Sequence, residues 1–458
     1  MSQMTLFQGA LSWYARRRFN WEDICSSHIT GKIQKNMLSL DFICQHPDIV
    51  RNALWKRRDG RNIDDILHLA EQRRNLITRS DGLYATLRKL KEKKRSLPLE
   101  MRQVPNVQIK ALTEEIRQLE LQGSDIGTRL RLLLLNLPNI PHASVKEDDD
   151  STIGEEVRRW GEPFHLHAEP QAHWQLGERL GILDARSGVE VAGSRFVTLK
   201  GAGARLERAL ISFMLDVHTR EHNYLEVIPP QLVKQAVMIS SGQLPKFEDQ
   251  CYACTEDELY LNPTAEVPLI GMYSDMVLQQ ETLPVRNVAW TTAFRREAGS
   301  ASRQMRGLLR LHQFNKVELF QIVEPEHSYS VLEQMAQHAE SILQLLELPY
   351  RVVALNASQL PFTSAKTFDI EVWMPALGCF VEVSSVSNCE TFQSQRANIK
   401  YREGNSTRTA YVHTLNASGL AVGRTMAAIL ENYQQADASV VIPKVLRPFM
   451  GISLLASF

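Results

Sequence analysis

Two long stripes of apolar residues between positions 69 and 133 have the spacing of a coiled-coil seam. In the first, leucine recurs every seven residues with one intermediate member, at Leu69, Leu76, Leu83, Leu87 and Leu90. The second advances in steps of three and four, through Ile109, Leu112, Ile116, Leu119, Ile126, Leu130 and Leu133, with Gly123 at one seam position. The interval LPLEMRQVPN, with Pro98 and Pro105, separates them. This pattern predicts two helices of roughly 30 residues that pair as an antiparallel hairpin about 45 Å long.

The first of these helices is predicted to be strongly basic toward the hairpin tip. Between positions 73 and 95, only Asp81 and Glu92 oppose nine basic residues, Arg73, Arg74, Arg79, Arg88, Lys89, Lys91, Lys93, Lys94 and Arg95. The whole chain is balanced, with 52 basic and 52 acidic residues, so any surface for nucleic acid must be local. A hairpin is too thin to enclose a small-molecule pocket. We therefore expect the basic face to hold an RNA backbone, and the alternative is a merely solvated face.

After residue 150 the composition changes to apolar segments that alternate between strand and helix patterns. The chain of 458 residues has room for two or three domains. Helices are predicted at 204–220, 327–347 and 420–435, and strands at 225–229, 350–355, 367–374 and 379–386. This order favours an α+β domain built on a largely antiparallel sheet. There is no GxxxxGK[ST] loop and no GxGxxG after a strand, so ATP would have to be bound by arginines on a sheet.

The segment 294–318 is the best candidate for a nucleotide site. It reads FRREAGSASRQMRGLLRLHQFNKVE, with five arginines, and predicts a strand, a glycine-bearing loop and a second strand that ends at Glu318. A guanidinium group can bind phosphate oxygens through two hydrogen bonds, and a flat ring can stack on a base. A charged surface hairpin is the alternative.

Three further segments carry polar residues suited to the same site. Thr264 and Glu266 lie two apart, and on a strand they would share one face and hold a small amino acid. Glu382 and Ser385 are hard oxygen ligands suited to Mg²⁺ beside phosphates. Asn416–Arg424 reads as a small-residue turn into a helix, with Arg424 near the helix start.

These motifs together resemble those of seryl-tRNA synthetases of bacterial or organellar type, over about residues 37–450. The likeness is carried by SGQLPKFED (241–249), PTAEVPL (263–269), FRREAGS (294–300), RLHQFNKVEL (310–319), AKTFDIEVWMP (365–375), EVSSVSNCETFQ (382–393), LNASGLAVGRTMAAILENYQ (415–434) and VIPKVLRPFMG (441–451). The resemblance implies a class II synthetase antiparallel sheet with flanking helices, preceded by a long antiparallel helical-hairpin arm. It divides the chain into an extension (1–36), a tRNA-binding arm (37–145) and a catalytic domain (146–458).

The resemblance also implies the activity and its residues. The chain is expected to be an ATP- and Mg²⁺-dependent serine–tRNA ligase that forms seryl-adenylate and transfers the seryl group to tRNA(Ser), with tRNA(Sec) as a second candidate acceptor. The expected serine-binding residues are Thr264, Ala265, Glu266, Arg295, Glu318 and Ser418. The expected ATP-binding residues are Arg295, Arg296, Glu297, Arg310, Leu311, Phe314, Glu382, Val383, Ser384, Ser385 and Arg424. Arg295, Arg424 and Glu382 are expected to be catalytic, and Glu382 and Ser385 to bind Mg²⁺.

The resemblance further implies a homodimer, joined partly through the Glu226–Pro230 region. The sequence departs from the family pattern at Ser302, Gln304 and Met305, and at Ala417, whose methyl group is expected to crowd the serine site. Two other functions stay open, a ligase that charges a carrier protein and a catalytically silent RNA-binding paralogue. No apolar run reaches the 18 residues of a membrane span. The expected compartment is the cytoplasm, or the mitochondrial matrix if residues 1–36 are a transit peptide.

Overall fold

A computed structural model describes residues 39–98, 101–148, 154–163, 169–299, 306–404 and 406–456. The predicted extension at 1–36 and the departures at Ser302, Gln304 and Met305 lie outside the described residues. No helix in the described part of the chain is long and apolar enough to cross a membrane.

The predicted helical hairpin is present and forms an arm. Two short helices precede it, α1 (Leu40–Gln45) and α2 (Pro47–Lys56), and the arm itself is α3 (Asp64–Ser96) and α4 (Gln103–Leu135). Each arm helix has 33 residues, which corresponds to about 50 Å of length. Pro105 was predicted to lie in the breaker but lies inside the first turn of α4, where its missing N–H costs no helical hydrogen bond.

The arm helices hold together along the predicted seam. Leu87 of α3 and Ile116, Leu119 and Leu130 of α4 are buried between them. Outside the seam, Arg79 forms a 2.6 Å ion pair with Glu115 across the two helices. Helix α3 begins with two aspartates and ends with three basic residues, an order that complements its dipole.

The base of the arm is tied to the loop at residues 360–364, which lies between two strands of the α+β part of the chain. The buried guanidinium of Arg57 donates to the carbonyl oxygens of Asn139 at 2.6 Å and Leu360 at 3.1 Å, and to that of Ser364. Burial lowers the pKa of Arg57 to about 10. Because these carbonyl oxygens accept the hydrogen bonds of a buried charge, we expect loss of this side chain to loosen the junction.

Among the described residues, eight strands form the main sheet: β1 (Gly154–Trp160), β4 (Leu225–Glu226), β9 (Val285–Phe294), β10 (Gln313–Val323), β11 (Tyr350–Leu355), β12 (Lys366–Met374), β13 (Cys379–Glu390) and β16 (His413–Ala421). Their order across the sheet is β1-β11-β12-β13-β16-β10-β9-β4. Neighbouring strands are antiparallel, except that β4 runs parallel to β9. This is the antiparallel sheet that the sequence predicts.

Three helices cover one face of this sheet, α7 (Ala202–Arg220), α10 (Ser328–Leu345) and α12 (Val422–Asn432). Their apolar side chains form the main core with residues of β10, β13 and β16, such as Val317, Val386 and Ala417. Because side chains alternate along a strand, the neighbours of these residues point to the opposite face. The candidate site lies on that opposite face.

The remaining elements are short and surround the sheet. The helices are α5 (His173–Arg179), α6 (Ala185–Ala192), α8 (Gln235–Ser240), α9 (Glu266–Gly271), α11 (Phe392–Ala397) and α13 (Arg447–Met450). The strands are β2 (Leu183–Asp184), β3 (Thr198–Leu199), β5 (Leu232–Lys234), β6 (Ala253–Cys254), β7 (Leu259–Leu261), β8 (Val277–Gln279), β14 (Lys400–Arg402), β15 (Thr409–Tyr411), β17 (Val440–Val441) and β18 (Leu454–Leu455). Strand β18 pairs with β17, so residues 454 and 455 are anchored to the strand at 440–441.

Two local predictions were wrong. Glu318 does not end its strand but lies in the middle of β10, which continues to Val323 because the residues after Glu318 are apolar and buried. Residues 416–421 are not a turn but the second half of β16, which pairs with β10 and β13 and leads directly into α12. Small residues suit this strand because it is central in the sheet and buried on both faces.

Candidate active site

A cleft of about 430 Å³ opens on the sheet face opposite the three helices. Strands β10, β12, β13 and β16 form its floor, and residues from the loop between β9 and β10 and from the loop 359–363 form its walls. The volume lies in the range of small-molecule sites. Of the predicted residues, it brings together Thr264, Glu266, Arg295, Glu297, Arg310, Leu311, Phe314, Glu382, Val383, Ser385, Ser418 and Arg424.

At one end of the cleft a hydroxyl, an ammonium and a carboxylate group form a buried network. The Thr264 hydroxyl donates to Glu318 Oε2 over 2.6 Å, and Lys316 Nζ lies 2.5 Å from the same oxygen. Glu318 itself does not line the cleft but is buried behind Thr264 and Lys316, with 1% of its surface exposed. Its Oε1 has no hydrogen-bond partner among the described residues. A buried carboxylate oxygen needs a donor, so this atom is suited to receive one from a bound cationic group.

Glu266 forms the second carboxylate at this end. Its Oε1 accepts hydrogen bonds from the side-chain amides of Asn416, at 2.9 Å, and Gln393, at 2.5 Å. Burial, together with the neighbouring Glu318, raises the pKa of Glu266 to about 7. Two carboxylates this close in a buried site favour a positively charged ligand.

The predicted strand around these residues is absent. Residues 263–265 form a turn, and Glu266 is the first residue of the short helix α9. Thr264 and Glu266 nevertheless both reach the cleft, because the Thr264 hydroxyl accepts the N–H of Glu266 over 3.3 Å and closes the turn. The side chain of Ala265 packs into a separate core cluster and does not line the cleft.

The predicted site arginines of the segment 294–318, Arg295, Arg296 and Arg310, lie in the loop between β9 and β10, and not on the strands themselves. Arg295 follows β9 directly, its Nε donates to the carbonyl of Pro263 over 3.1 Å, and its guanidinium lies 5.3 Å from the centre of the Phe314 ring. Arg310 forms a 2.5 Å ion pair with Glu297. Arg296 is exposed and does not line the cleft.

Glu382 and Ser385 both line the cleft although they are three residues apart on β13. On a regular strand they would face opposite sides of the sheet. The pairing of β12 with β13 shifts by one residue, so that Ile370 opposes Ser384 while Glu371 opposes Glu382. This bulge restores both side chains to one face. Ser384 instead points away and donates to the Ser418 carbonyl over 2.6 Å.

Arg424 lies in the first turn of α12 and bridges two walls of the cleft. Its Nε donates to the Leu309 carbonyl over 3.1 Å, and its Nη1 donates to the Glu382 carbonyl over 2.7 Å. The same nitrogen is 3.5 Å from the Glu382 carboxylate. Arg424 is therefore placed beside Glu382, whose carboxylate was predicted to bind Mg²⁺.

The sequence interpretation missed several residues that line the cleft, among them Gln243, Phe247, Lys316, Asp369 and Asn416. Lys316 could have been predicted from the sequence, since it lies two residues from both Phe314 and Glu318 and therefore on the same strand face. Nothing in the sequence indicates Asp369, because its place in the cleft depends on pairing between strands. Ala417 belongs to the main core, so the expectation that its methyl group crowds the serine site was wrong.

The oxygen ligands in the cleft fit Mg²⁺. Asp369 lies opposite Ser385 in the strand pairing and lines the cleft together with Glu382, and its Oδ1 is buried without a partner among the described residues. No group of three or more acidic, histidine or cysteine side chains in the described residues forms a metal cage. Mg²⁺ is commonly held by one or two carboxylates together with substrate phosphates, and such a site needs no cage.

Two family models match the chain. One is described as seryl-tRNA synthetase N-terminal domain and covers residues 37–141. The other is described as tRNA synthetase class II core domain (G, H, P, S and T) and covers residues 247–433. A curated protein of Carboxydothermus hydrogenoformans, named serine–tRNA ligase, is 48% identical over 426 residues, which are 91% of this chain and 99% of the relative. The chain belongs to the seryl-tRNA synthetase family.

Other members of the family are similar over the same extent. A serine–tRNA ligase of a Geobacillus strain is 50% identical and covers 91% of this chain and 99% of its own. The crystal structure of seryl-tRNA synthetase from Pyrococcus horikoshii complexed with ATP has a TM-score of 0.86 at 34% identity, covering 92% of this chain and 100% of that one. The cytoplasmic enzyme of Naegleria fowleri in complex with AMP has a TM-score of 0.77 at 27% identity, over 93% and 100%. The predicted family and class II fold are therefore confirmed.

Proposed function

We propose that the cleft activates serine with ATP and then transfers the seryl group to the 3′ end of tRNA(Ser). The ligase activity itself, predicted from the sequence, is confirmed by the serine–tRNA ligases that match almost the full length of both chains. The observation that carries the proposal is the convergence of Glu318, Arg295, Glu382 and Arg424 around one cleft or directly beneath it.

The end of the cleft with Thr264, Glu266 and Glu318 is proposed to bind serine. The unpartnered Oε1 of Glu318 is suited to the α-ammonium group of serine, and Ser418 lies on the adjacent strand position facing Glu318. Discrimination against alanine follows from physical chemistry, because buried polar groups arranged to bond a hydroxyl stay unpaired when alanine binds. Ala265 is proposed to contribute only through its backbone, since its side chain lies in the core.

The remainder of the cleft is proposed to bind ATP. The face of Phe314 is suited to stack on adenine, and Leu311 contributes backbone groups nearby. Arg295 lies between the serine end and the ring, so it is placed to contact the carboxylate and the α-phosphate together. Arg310 and Arg424 are proposed to hold the outer phosphates, and for this Arg310 must exchange its ion pair with Glu297 for a phosphate.

The chemistry requires little covalent help from the protein. The serine carboxylate attacks the α-phosphate in line, and the bond to pyrophosphate breaks. A ribose hydroxyl of tRNA then attacks the seryl carbonyl of the adenylate, the acyl–phosphate bond breaks, and AMP leaves. Arg295 and Arg424 stabilise the negative charge that develops on the phosphate oxygens. Mg²⁺, which Glu382 and Ser385 would hold, neutralises phosphate charge when it is bound. Positioning by the rigid sheet supplies the rest.

The arm, taken as residues 37–145, is proposed to bind tRNA through the basic face of α3. Eight of its nine predicted basic residues are exposed, and Lys94 is half-buried. The dimer is proposed to form next to β4, the edge strand of the main sheet, where Leu225 is 67% exposed and Ile228 80% exposed. An unpaired apolar sheet edge is suited to association with a second copy.

The catalytic domain is proposed to span residues 146–458. The cytoplasm is proposed as the compartment of the protein. If residues 1–36 are a transit peptide, the mitochondrial matrix is the alternative compartment, and sequencing the N-terminus of the natural protein distinguishes the two. Use of tRNA(Sec) is a further proposal, tested with that tRNA in the same assay.

Serine-dependent exchange between ATP and labelled pyrophosphate tests activation, and charging of a purified tRNA(Ser) transcript tests transfer. We expect both reactions, with exchange absent when alanine or glycine replaces serine at equal concentration. Exchange without charging, but with a carrier protein accepting the seryl group, would favour the carrier ligase. Absence of exchange with retained tRNA binding would favour the silent paralogue.

A further inference from the structure

His173 and Glu431 form a buried pair beside the cleft that none of the roles above uses. Both side chains are 0% exposed, and Nδ1 of His173 lies 2.7 Å from Oε1 of Glu431. His173 begins α5, whereas Glu431 lies near the end of α12, so the pair joins elements that are distant in sequence. Burial of such groups costs free energy unless each polar atom has a partner.

The other atoms of the pair have backbone partners. The N–H of Leu308 donates to Nε2 of His173 over 3.0 Å. Glu431 Oε1 accepts the N–H of His173 at 3.1 Å, and its Oε2 accepts the N–H of Ala376 at 3.0 Å. An N–H group only donates, so Nε2 is an acceptor and the ring proton lies on Nδ1, where it is donated to Glu431. The ring therefore has one orientation and one tautomer.

The segment that this ring holds forms a wall of the nucleotide site. Residues 308–311 line the cleft directly after Gly307. The Leu309 carbonyl accepts the hydrogen bond from Arg424 Nε, and Arg310 is the next residue. A displacement of this backbone would therefore move both guanidinium groups proposed to hold the outer phosphates.

Gly307 allows the backbone to approach the ring so closely. Its φ is +67°, a conformation that favours glycine, and a Cβ atom added there would lie 2.2 Å from Nε2 of His173. Any other residue would push the segment away from the ring. The close approach of this backbone to the His173 ring therefore depends on the glycine at position 307.

We propose that His173, oriented by Glu431, is a positioning residue that fixes the backbone of residues 307–311 and thereby the phosphate-binding arginines. This inference rests on the proposed function of the cleft. In this proposal His173 contacts no substrate and acts only through the arginines that hold the phosphates. Loss of His173 should therefore weaken ATP binding more than serine binding.

Two substitutions separate the contacts of the ring. In His173→Gln the terminal amide reaches the position of Nε2, so its oxygen can still accept the N–H of Leu308. In His173→Asn the shorter amide reaches only the position of Nδ1, so the contact with Glu431 is kept and that with Leu308 is lost. The readout is the KM for ATP and for serine in pyrophosphate exchange, with folding checked by circular dichroism and urea unfolding.

We expect His173→Asn to raise the KM for ATP about tenfold, as loss of one backbone hydrogen bond suggests, and the KM for serine by less than about twofold. His173→Gln should stay within about threefold of the unmodified protein for both. Equal KM values for ATP in the two variants, or loss of stability without a change in KM, would overturn the inference.

A substitution at Gly307 covers the case in which His173→Asn does not fold. Gly307→Ala should then raise the KM for ATP by the same factor, because the added methyl group pushes the same backbone away from the ring. An unchanged KM for ATP in that variant would overturn the inference. Failure of both variants to fold would also overturn it, because the pair would then serve stability alone.

The two proposals fail in different ways. If the unmodified protein shows no serine-dependent exchange, the proposed function is wrong. If it shows exchange and the KM for ATP is unchanged in His173→Asn, only the role of His173 is wrong.

Discussion

Glu382 and Ser385 face the same side of the sheet because a bulge in β13 inserts one residue between them. The pair therefore presents a carboxylate and a hydroxyl to one cleft, with Asp369 opposite Ser385 on the neighbouring strand. Three oxygen-bearing side chains on adjacent rigid strands are suited to a hard cation beside phosphates.

Glu382→Gln should weaken divalent-metal binding and lower the rate of pyrophosphate exchange by about 10²–10³-fold, because one anionic ligand is lost. Mn²⁺ titration followed by electron paramagnetic resonance, in the presence of ATP, measures the first effect independently of activity. Glu371→Gln is the control, since this carboxylate pairs with Arg351 outside the cleft. Equal metal affinity in both variants would contradict the ligand assignment.

Arg295→Ala should abolish detectable adenylate formation while leaving the fold intact, because the guanidinium lies between the Pro263 carbonyl and the Phe314 ring, where it is proposed to contact both serine and the α-phosphate. A loss of about 10³-fold in kcat/KM is expected from removal of a charge-stabilising donor. Arg208→Ala, on the exposed side of α7, is the matched control. Near-normal single-turnover activation in Arg295→Ala would remove the role given to this residue.

Thr264→Val should raise the KM for serine about tenfold with little effect on ATP, because the hydrogen bond to Glu318 is lost while the shape is kept. Thr292→Val serves as control, since this hydroxyl on β9 bonds Asn315 outside the cleft. Exchange kinetics at varied serine measure the effect, and an equal rise for ATP would show that Thr264 does not belong to the serine end.

Replacing Lys91, Lys93 and Lys94 together by alanine should weaken tRNA(Ser) binding without changing pyrophosphate exchange. If each lysine contacts a phosphate, the slope of log affinity against log salt should fall by about one for each. Glu92→Gln, which removes a negative charge between them, should leave binding equal or tighter. Unchanged tRNA affinity in the triple variant would place the contacts elsewhere.

Acid should destabilise the protein through a cluster of three histidines, His218 on α7, His222 just after α7 and His338 on α10. Burial, with His222 and His338 nearby, lowers the pKa of His218 to about 3. The unfolded chain binds this proton below about pH 6.5, whereas the folded chain does not. Stability is therefore complete above about pH 6.5 and falls as the pH drops toward about 3.

For His218 alone the expected loss at pH 5 is about 2 kcal/mol relative to pH 7.5. Urea unfolding at both pH values measures it. His218→Gln should lower that difference, whereas His68→Gln, on the exposed surface of α3, should not. An identical pH dependence in the unmodified protein and in His218→Gln would refute the assignment.

Repeating apolar residues and the order of the motifs were enough to predict the arm, the antiparallel sheet and most of the cleft. The seam leucines specify long helices whatever surrounds them, because their period of about 3.5 residues matches no other structure. The resemblance of the motifs then predicted twelve of the residues that line the cleft. The local secondary structure was predicted wrongly where only the types of neighbouring residues were used. Thr264 was placed on a strand but lies in a turn, and residues 416–421 were predicted as a turn but form a strand.

Only the tertiary structure decided which side chains share a face or a partner. The bulge beside Val383, the burial of Ala417 in the core and the entry of Asp369 into the cleft all depend on strand register, which no residue type reports. The contact of His173 with Leu308 spans 135 positions. Such contacts arise from packing between segments that are distant in sequence. A pattern that repeats every few residues therefore cannot predict them.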